Sequence, residues 1–320
     1  MSTPLVGLVA LAATFVITPI AMVVAHRTGI VDRPGPLKPQ VAPVPYLGGV
    51  AILCGVAVGA AAGRPSLLLP FVLATVLGVT DDRTSLPPAA RLFGQLVIGA
   101  AVVATVPVHL PGIVGAAALV AVTVIVVNGV NFIDGLDLLA AGVGAVAAVG
   151  FALVLHGAGR QVAIALAAAL VGFAFYNRPP ARVYLGDGGS YLIGTALCVL
   201  LAEAWKPGAP TATGVAALAL VAVPAAEVAF AVVRRLRGDT SLTAGDRGHP
   251  YDRLVARGWP RPAASGAYVA VEAVLATGAV AAVHAGVIAG AVGVAVGAAA
   301  LVVAGALATG AFTPDAGAAT

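Results

Sequence analysis

Residues 67–82 read LLLPFVLATVLGVTDD, an uncharged apolar run from Leu67 to Val79 that ends in two adjacent carboxylates, Asp81 and Asp82. A helix of this composition belongs in lipid, and ionisable groups there are costly enough to mark a functional site. The pattern recurs downstream: Asn128, Asn131, Asp134, Asp137 and Asp187 also interrupt or end apolar stretches. Of the 13 acidic residues in the chain, five sit in these three places. That concentration points to a metal-dependent reaction at a membrane surface.

Composition supports the membrane reading. The 320 residues are 60% hydrophobic and only 9% charged, with mean hydropathy +1.04. An ordinary soluble domain carries about 25% charged residues. Apolar stretches run from end to end, so residues 1–320 are expected to form a single membrane domain without a soluble module. The first run, Pro4 to Ala25, lacks a basic leader and reads as a retained span. Cys54 and Cys198 fall inside apolar runs without metal-ligand spacing and read as small core hydrophobes. The net charge of +4 has a membrane explanation and implies no nucleic-acid partner.

The expected fold is all-α and polytopic, with about ten to eleven transmembrane helices. Candidate spans are 4–25, 47–63, 66–80, 92–106, 112–127, 138–155, 162–176, 190–204, 213–233, 263–283 and 286–308. Several are shorter than the ~20 residues needed to cross the hydrocarbon. Alternate loops differ in charge: 26–46, 81–91, 128–137, 177–189 and 234–262 hold 14 of the 17 basic residues, and the other set holds only Arg64, Arg160 and Lys206. The positive-inside rule puts the first set in the cytoplasm and the N-terminus outside. Every acidic cluster lies in that same set, so five separated loops are expected to converge on the cytoplasmic face.

Each loop carries its own chemistry. The first, from Val31 to Gly49, is too rich in proline for a helix and favours an extended path. Its Lys38 is a candidate phosphate contact. Asp81 and Asp82 point about 100° apart on a helix and so serve different tasks. Two carboxylates this close disfavour double ionisation unless a cation is near. In Asn128-Gly-Val-Asn131-Phe-Ile-Asp134-Gly-Leu-Asp137 a polar group recurs every third residue, offering the hard oxygen ligands that Mg²⁺ prefers. Gly186-Asp187-Gly-Gly-Ser190 opens an apolar helix whose free N–H groups suit a diphosphate, with Asp187 to hold a bridging metal. The last loop, Arg234 to Pro262, supplies arginines for phosphate clamping and His249 for phosphate or proton handling. Glu227 and Glu272 lie within spans and receive no role.

Together these elements resemble the polyprenyl-phosphate N-acetylhexosamine-1-phosphate transferase family (glycosyltransferase family 4), especially its members that transfer GlcNAc-1-phosphate from UDP-GlcNAc to undecaprenyl phosphate. The resemblance runs from about residue 31 to 260 and covers the Pro-rich loop ending Gly48-Gly49, Asp81-Asp82, Asn128 through Asp137, Asn177, and Gly186 through Ser190. It implies attack of a membrane-held polyprenyl phosphate (undecaprenyl or decaprenyl) on the β-phosphate of a UDP-activated amino sugar. The products are a polyprenyl-diphospho-sugar and UMP, and the cofactor is Mg²⁺, with Mn²⁺ as substitute. The implied setting is the plasma membrane, at the start of cell-wall or surface polysaccharide synthesis, with a homodimer as an assembly to test.

By the same resemblance Asp187 binds the metal with help from Asn131. Asp81 and Asp82 are the catalytic pair, orienting or deprotonating the lipid phosphate. Asp134 and Asp137 serve the metal's outer shell or the nucleotide. Lys38, Arg91, Arg247 and His249 hold phosphates, and Asn128 and Asn177 join the substrate contacts. Two places depart from the family pattern. Leu138 stands where a glycine is usual, and Tyr251 and Asp252 replace two members of a three-histidine cluster, of which only His249 matches. The second departure argues against the phospho-MurNAc-pentapeptide translocase of peptidoglycan synthesis and bears on which sugar is used. Among rivals, a transporter predicts internal repeats and broken midplane helices. An intramembrane aspartyl protease needs Gly-x-Gly-Asp, whereas Tyr184-Leu-Gly-Asp187 lacks the first glycine. A non-catalytic relative would not keep Asp81, Asp82, Asn131 and Asp187 intact.

Overall fold

The computed structural model describes residues 1–34, 40, 42–106, 108, 112–238 and 248–312. Helices account for nearly all of it. They are α1 (Thr3–Thr28), α2 (Gly48–Gly63), α3 (Leu68–Thr84), α4 (Pro88–Thr105), α5 (Gly112–Phe132), α6 (Leu139–Val154), α7 (Gly157–Asn177) and α8 (Gly186–Ala204). The C-terminal part adds α9 (Thr211–Ala217), α10 (Ala222–Arg237), α11 (Pro250–Ala256), α12 (Arg261–Ala285) and α13 (Ile288–Thr309). Each expected span coincides with helix. Eight segments among the described residues are long and apolar enough to cross a membrane. At 16 residues each, α2 and α6 reach about 24 Å, short of the ~30 Å hydrocarbon.

The protein is an all-α, multi-span membrane protein built around α8. Every residue of α8 from Gly188 to Ala204 is buried, as expected of a helix that is apolar on all sides. It is surrounded by α2 through α7 and by α9, with α1, α10, α12 and α13 packed outside them. The helices around α8 turn large apolar side chains outward, including Leu8 and Val16 of α1, Phe93 of α4, Ile113 of α5 and Leu307 of α13. In water that surface would be a liability; in lipid it is the expected exterior.

Two departures from the sequence reading have physical causes. The span expected over 213–233 is broken into α9 and α10 by a 3₁₀ turn at Leu218–Val221. Pro224 follows that turn, and its carbonyl lies against Gly129 of α5, where a side chain would collide with it. The Pro-rich first loop contains a short antiparallel pair, β1 (Val31–Asp32) with β2 (Val44–Pro45), in which Val31 faces Pro45. An extended path was expected there, but a paired one was not.

Candidate active site

Five loops meet at the N-terminal end of α8. The β-pair docks when Tyr184 N–H donates to the Pro45 carbonyl at 2.8 Å and Gly48 N–H to the Tyr184 carbonyl at 3.2 Å. The end of α3 arrives through Asp82, whose carboxylate accepts from Asp187 N–H at 2.9 Å and Gly188 N–H at 3.3 Å. The segment after α5 arrives through Asp137, which accepts from Ala181 N–H at 3.0 Å. The C-terminal loop arrives when the Tyr251 hydroxyl donates to the Phe132 carbonyl at 3.1 Å and the Ser265 hydroxyl to the Asp137 carbonyl at 2.9 Å.

Asp82 corrects one expectation. The first N–H groups of α8 are not left open for a diphosphate; a carboxylate from α3 takes them. Leu185, in the N-cap position, makes no side-chain cap of its own. The positive end of the helix is therefore satisfied from a distance of 105 residues in sequence. Two glycines permit this approach. Gly186 has φ +66°, where a side chain is strained, and an added Cβ would meet Asp82 Oδ2 at 2.5 Å. At Gly78 a Cβ would collide with the Asp187 backbone.

Asp187 turns its side chain to α5, where Asn131 Nδ2 donates to Asp187 Oδ1 at 2.6 Å and to Ser190 Oγ at 3.1 Å. The adjacent acid, Asp81, is 3% exposed and fully engaged. Its Oδ1 accepts from Leu86 N–H at 2.8 Å, and its Oδ2 accepts from the Tyr191 hydroxyl at 3.1 Å. Arg91 Nε lies 2.7 Å from the same Oδ2 as an ion pair, though it is not aligned for a hydrogen bond. The pair Asp81-Asp82 thus divides its work: Asp81 locks the α3–α4 turn and meets the side chains of Tyr191 and Asp187, while Asp82 takes the first backbone N–H groups of α8.

Beside this cluster lies a cavity of about 690 Å³. Asp134, Asp137, Tyr184, Tyr251, Asp252 and Arg261 are among its walls, with Asp32 and Tyr46 on the side of the β-pair. Burial pushes the Asp134 carboxyl well above the usual range, and the charges of Asp187, Asp82 and Asp137 add to the shift. Burial raises Asp137 as well, opposed by the Ala181 N–H and by Arg261. Carboxylates in this state bind a cation or a proton more readily than they stand alone.

The other expected contacts are placed as follows. Asn128 forms a reciprocal amide pair with the buried Gln95 of α4, donating at 2.7 Å and accepting at 3.4 Å. Asn177 is buried and ties two loops together, accepting from Leu138 N–H and donating to the Val183 carbonyl, each at 2.8 Å. His249 is buried against Glu227 of α10, with Nδ1 2.9 Å from Oε2. Lys38 and Arg247 lie outside the described residues. Tyr184, Tyr191 and Arg261 also border the site although nothing in the sequence marked them, and Glu227, marked but given no role, joins His249. Only Glu227 carried a signal, as an acid inside an apolar run.

Comparison with known proteins agrees with this geometry. The profile of glycosyl transferase family 4 matches residues 65–204, which hold Asp81, Asp82, Asn131 and Asp187. The decaprenyl-phosphate N-acetylglucosaminephosphotransferase of Mycolicibacterium smegmatis is 32% identical across 78% of this chain and 75% of its own length. The chain belongs to glycosyl transferase family 4. The undecaprenyl-phosphate alpha-N-acetylglucosaminyl 1-phosphate transferase of Yersinia pestis is 26% identical across 81% of the chain and 78% of its own length. A phospho-N-acetylmuramoyl-pentapeptide-transferase from a Synechococcus species is 36% identical, but over only 49% of the chain and 53% of its own length. Within glycosyl transferase family 4, the junction loops that carry Asp82, Asn131 to Asp137 and Asp187 lie inside the matched segment, while the β-pair and the His249 loop lie outside it.

Proposed function

We infer that the protein transfers a sugar 1-phosphate, with GlcNAc-1-phosphate as the group moved, from a UDP-sugar to a polyprenyl phosphate. A lipid phosphate oxygen forms a bond to the β-phosphorus of the donor, the bond from that phosphorus to the bridging oxygen breaks, and UMP leaves. The observation that carries this reading is the meeting of Asp82, Asn131 and Asp187, from three helices, at one end of α8 beside a cavity of nucleotide-sugar size. The names of relatives matched across three quarters of their length support the same chemistry. The translocase alternative is disfavoured by the half-length match and by Tyr251 and Asp252 in the late loop.

The donor set suits Mg²⁺, with Mn²⁺ as substitute. Among the described residues no three His, Cys, Asp or Glu side chains form a closed cage. Mg²⁺ characteristically takes one or two protein carboxylates and completes its shell with substrate phosphates and water. Asp187 is the direct ligand in this reading, with the Asn131 amide holding its carboxylate in place. When bound, the metal offsets the charge between two anionic substrates. Asp82 fixes the Asp187 backbone and faces the same junction, so it orients the lipid phosphate. Because a phosphate monoester is largely ionised near neutral pH (second pKa ≈ 6), orientation matters more than proton removal. Asp134 and Asp137 border the cavity that takes the nucleotide, and Arg91 backs Asp81.

The 14-to-3 division of basic residues supports a cytoplasmic position for this end of α8, on the side that holds UDP-sugars. A bacterial plasma membrane is the setting that follows. The test is UMP release by purified protein given UDP-GlcNAc, undecaprenyl phosphate and Mg²⁺. Release that is abolished by EDTA, restored by Mg²⁺ and lost in Asp187→Asn supports the reading. Movement of substrate across vesicles without UMP release would overturn it in favour of a transporter.

A further inference from the structure

A single cation stands among the acids of the polar cavity. Of the described residues that wall its 690 Å³, Asp32, Asp134, Asp137 and Asp252 are carboxylates, and Arg261 alone is basic. Arg261 opens α12 and is exposed. Among the described residues no ion pair or hydrogen bond engages its guanidinium, whereas Arg91 is held by Asp81 at 2.7 Å. The place of Arg261 is fixed one turn further along. Ser265, 4% exposed, donates its hydroxyl to the Asp137 carbonyl at 2.9 Å, and positions i and i+4 share a helix face. Helical side chains lean toward the N-terminus, so Arg261 extends past the Asp137 turn along the cavity wall. Pro260 and Pro262, on either side of it, set the start of the helix. Burial raises both the Asp137 carboxyl and the Tyr184 hydroxyl, and the charge of Arg261 works against the rise at each. The guanidinium is therefore felt by two other walls of the same cavity.

We propose that Arg261 is a donor-binding residue whose guanidinium takes a phosphate of the UDP-sugar in the acid-lined cavity. This rests on the transferase reading above, which puts the nucleotide in that cavity. The donor's diphosphate is anionic, so Asp134, Asp137 and their neighbours repel it unless positive charge meets it there. A guanidinium suits the task. Its planar fork meets two phosphate oxygens at once, and it stays charged throughout the working pH range. The lipid phosphate belongs at Asp82, outside these walls, so Arg261 acts on one substrate and not on the other.

The test compares Arg261→Gln and Arg261→Lys with the wild type in full-length protein. Arg261 is exposed, so neither change disturbs the core. Arg261→Gln is expected to raise KM for UDP-GlcNAc about tenfold or more, the loss of one hydrogen bond to a charged group. Both kcat and KM for undecaprenyl phosphate should stay within about twofold, the pattern of lost ground-state binding. Arg261→Lys keeps the charge without the fork and is expected to fall between the two. An unchanged KM for the donor, or a rise confined to the lipid, would overturn the proposal. A second readout needs no turnover: calorimetric binding of UMP and of uridine in EDTA. Arg261→Gln should weaken UMP about tenfold and leave uridine unchanged. Equal losses for UMP and uridine would put Arg261 at the nucleoside and overturn the proposal. A loss confined to UMP, in a protein whose wild type releases UMP from no donor sugar, would uphold Arg261 as a phosphate contact and sink the transferase reading.

Discussion

Asp82 Oδ1 accepts the backbone N–H of Asp187 at 2.9 Å, so the acid that ends α3 also caps the helix whose first turn carries the proposed metal ligand. The two acids cannot move independently. Asp82→Asn keeps an oxygen for the cap and is expected to leave the protein folded with UMP release reduced about 100-fold, the cost of misplacing a reacting group by about 1 Å. Asp82→Ala removes the cap too and should cost about 1 kcal/mol of stability in addition. Thermal unfolding of both variants, read beside UMP release, separates the two effects. Equal stability of both variants would show that the cap contributes nothing.

Leu138 is the departure from the family pattern that the structure explains in energetic terms. It has φ +63°, the left-handed region, in the tight turn between Asp137 and α6. A side chain there costs roughly 1–2 kcal/mol, which glycine avoids. Asn177 Oδ1 holds the Leu138 N–H at 2.8 Å, so the turn is fixed from α7 whichever residue occupies it. Leu138→Gly is expected to stabilise the protein by about 1 kcal/mol and to keep activity. Chemical denaturation would check it, and a loss of stability would mean that Leu138 contributes packing worth more than the strain.

Asp134 is held at a cost to the fold. Its carboxyl has a pKa raised by burial and by the neighbouring acids. For an acid raised in the folded state, the unfolded chain loses its proton first. Stability therefore falls as pH rises above the ordinary carboxylate range toward the raised value. Asp134→Asn carries no charge and escapes that penalty. In EDTA at pH 7.5 (about neutral), it is expected to be more stable than wild type by ~1 kcal/mol, while UMP release with Mg²⁺ falls. The gain should vanish below about pH 4, where the wild-type carboxyl is protonated in both states. Thermal melts at the two pH values are the measurement.

Glu203 stands at the opposite end of α8, about 24 Å from Asp187 by helix rise. It is buried and joins Arg64 at 2.7 Å and Lys206 at 2.9 Å. Arg64 also donates to the Thr105 carbonyl at 3.2 Å, so the cluster binds the ends of α2, α4 and α8. Both cations are about a third exposed, which screens the pairs. Glu203→Gln is expected to cost about 1–2 kcal/mol of stability and to leave kcat within about twofold. A large fall in kcat at unchanged stability would show coupling along α8 to the site.

Much of the site was readable because expensive residues announce themselves in an apolar chain. Asp81, Asp82, Asn131, Asp134, Asp137 and Asp187 stood out as polar interruptions, and the junction at α8 uses all of them. Their separate tasks were not readable. Asp81 and Asp82 are adjacent in sequence, yet one is held among the side chains of Tyr191, Arg91 and Asp187 and the Leu86 N–H, while the other takes the backbone N–H groups of Asp187 and Gly188. Asn128 and Asn177 belong to the same pattern as Asn131 but are occupied by Gln95 and by the Leu138–Val183 loops. Tyr191 and Tyr268 gave no signal because a tyrosine in an apolar helix is unremarkable until its hydroxyl meets an acid.

The amino-acid sequence alone determined that this is a multi-span helical membrane protein with its clustered acids, Asp81, Asp82, Asp134, Asp137 and Asp187, in one set of loops. That follows from hydropathy and from the cost of charge in lipid, which act residue by residue. The tertiary structure alone decided which acid meets which backbone and which histidine nitrogen is held. It also decided that the start of α8 is capped by Asp82. Those pairings join residues as much as 106 positions apart, and they depend on how closely α3, α5 and α10 approach, which no local pattern encodes.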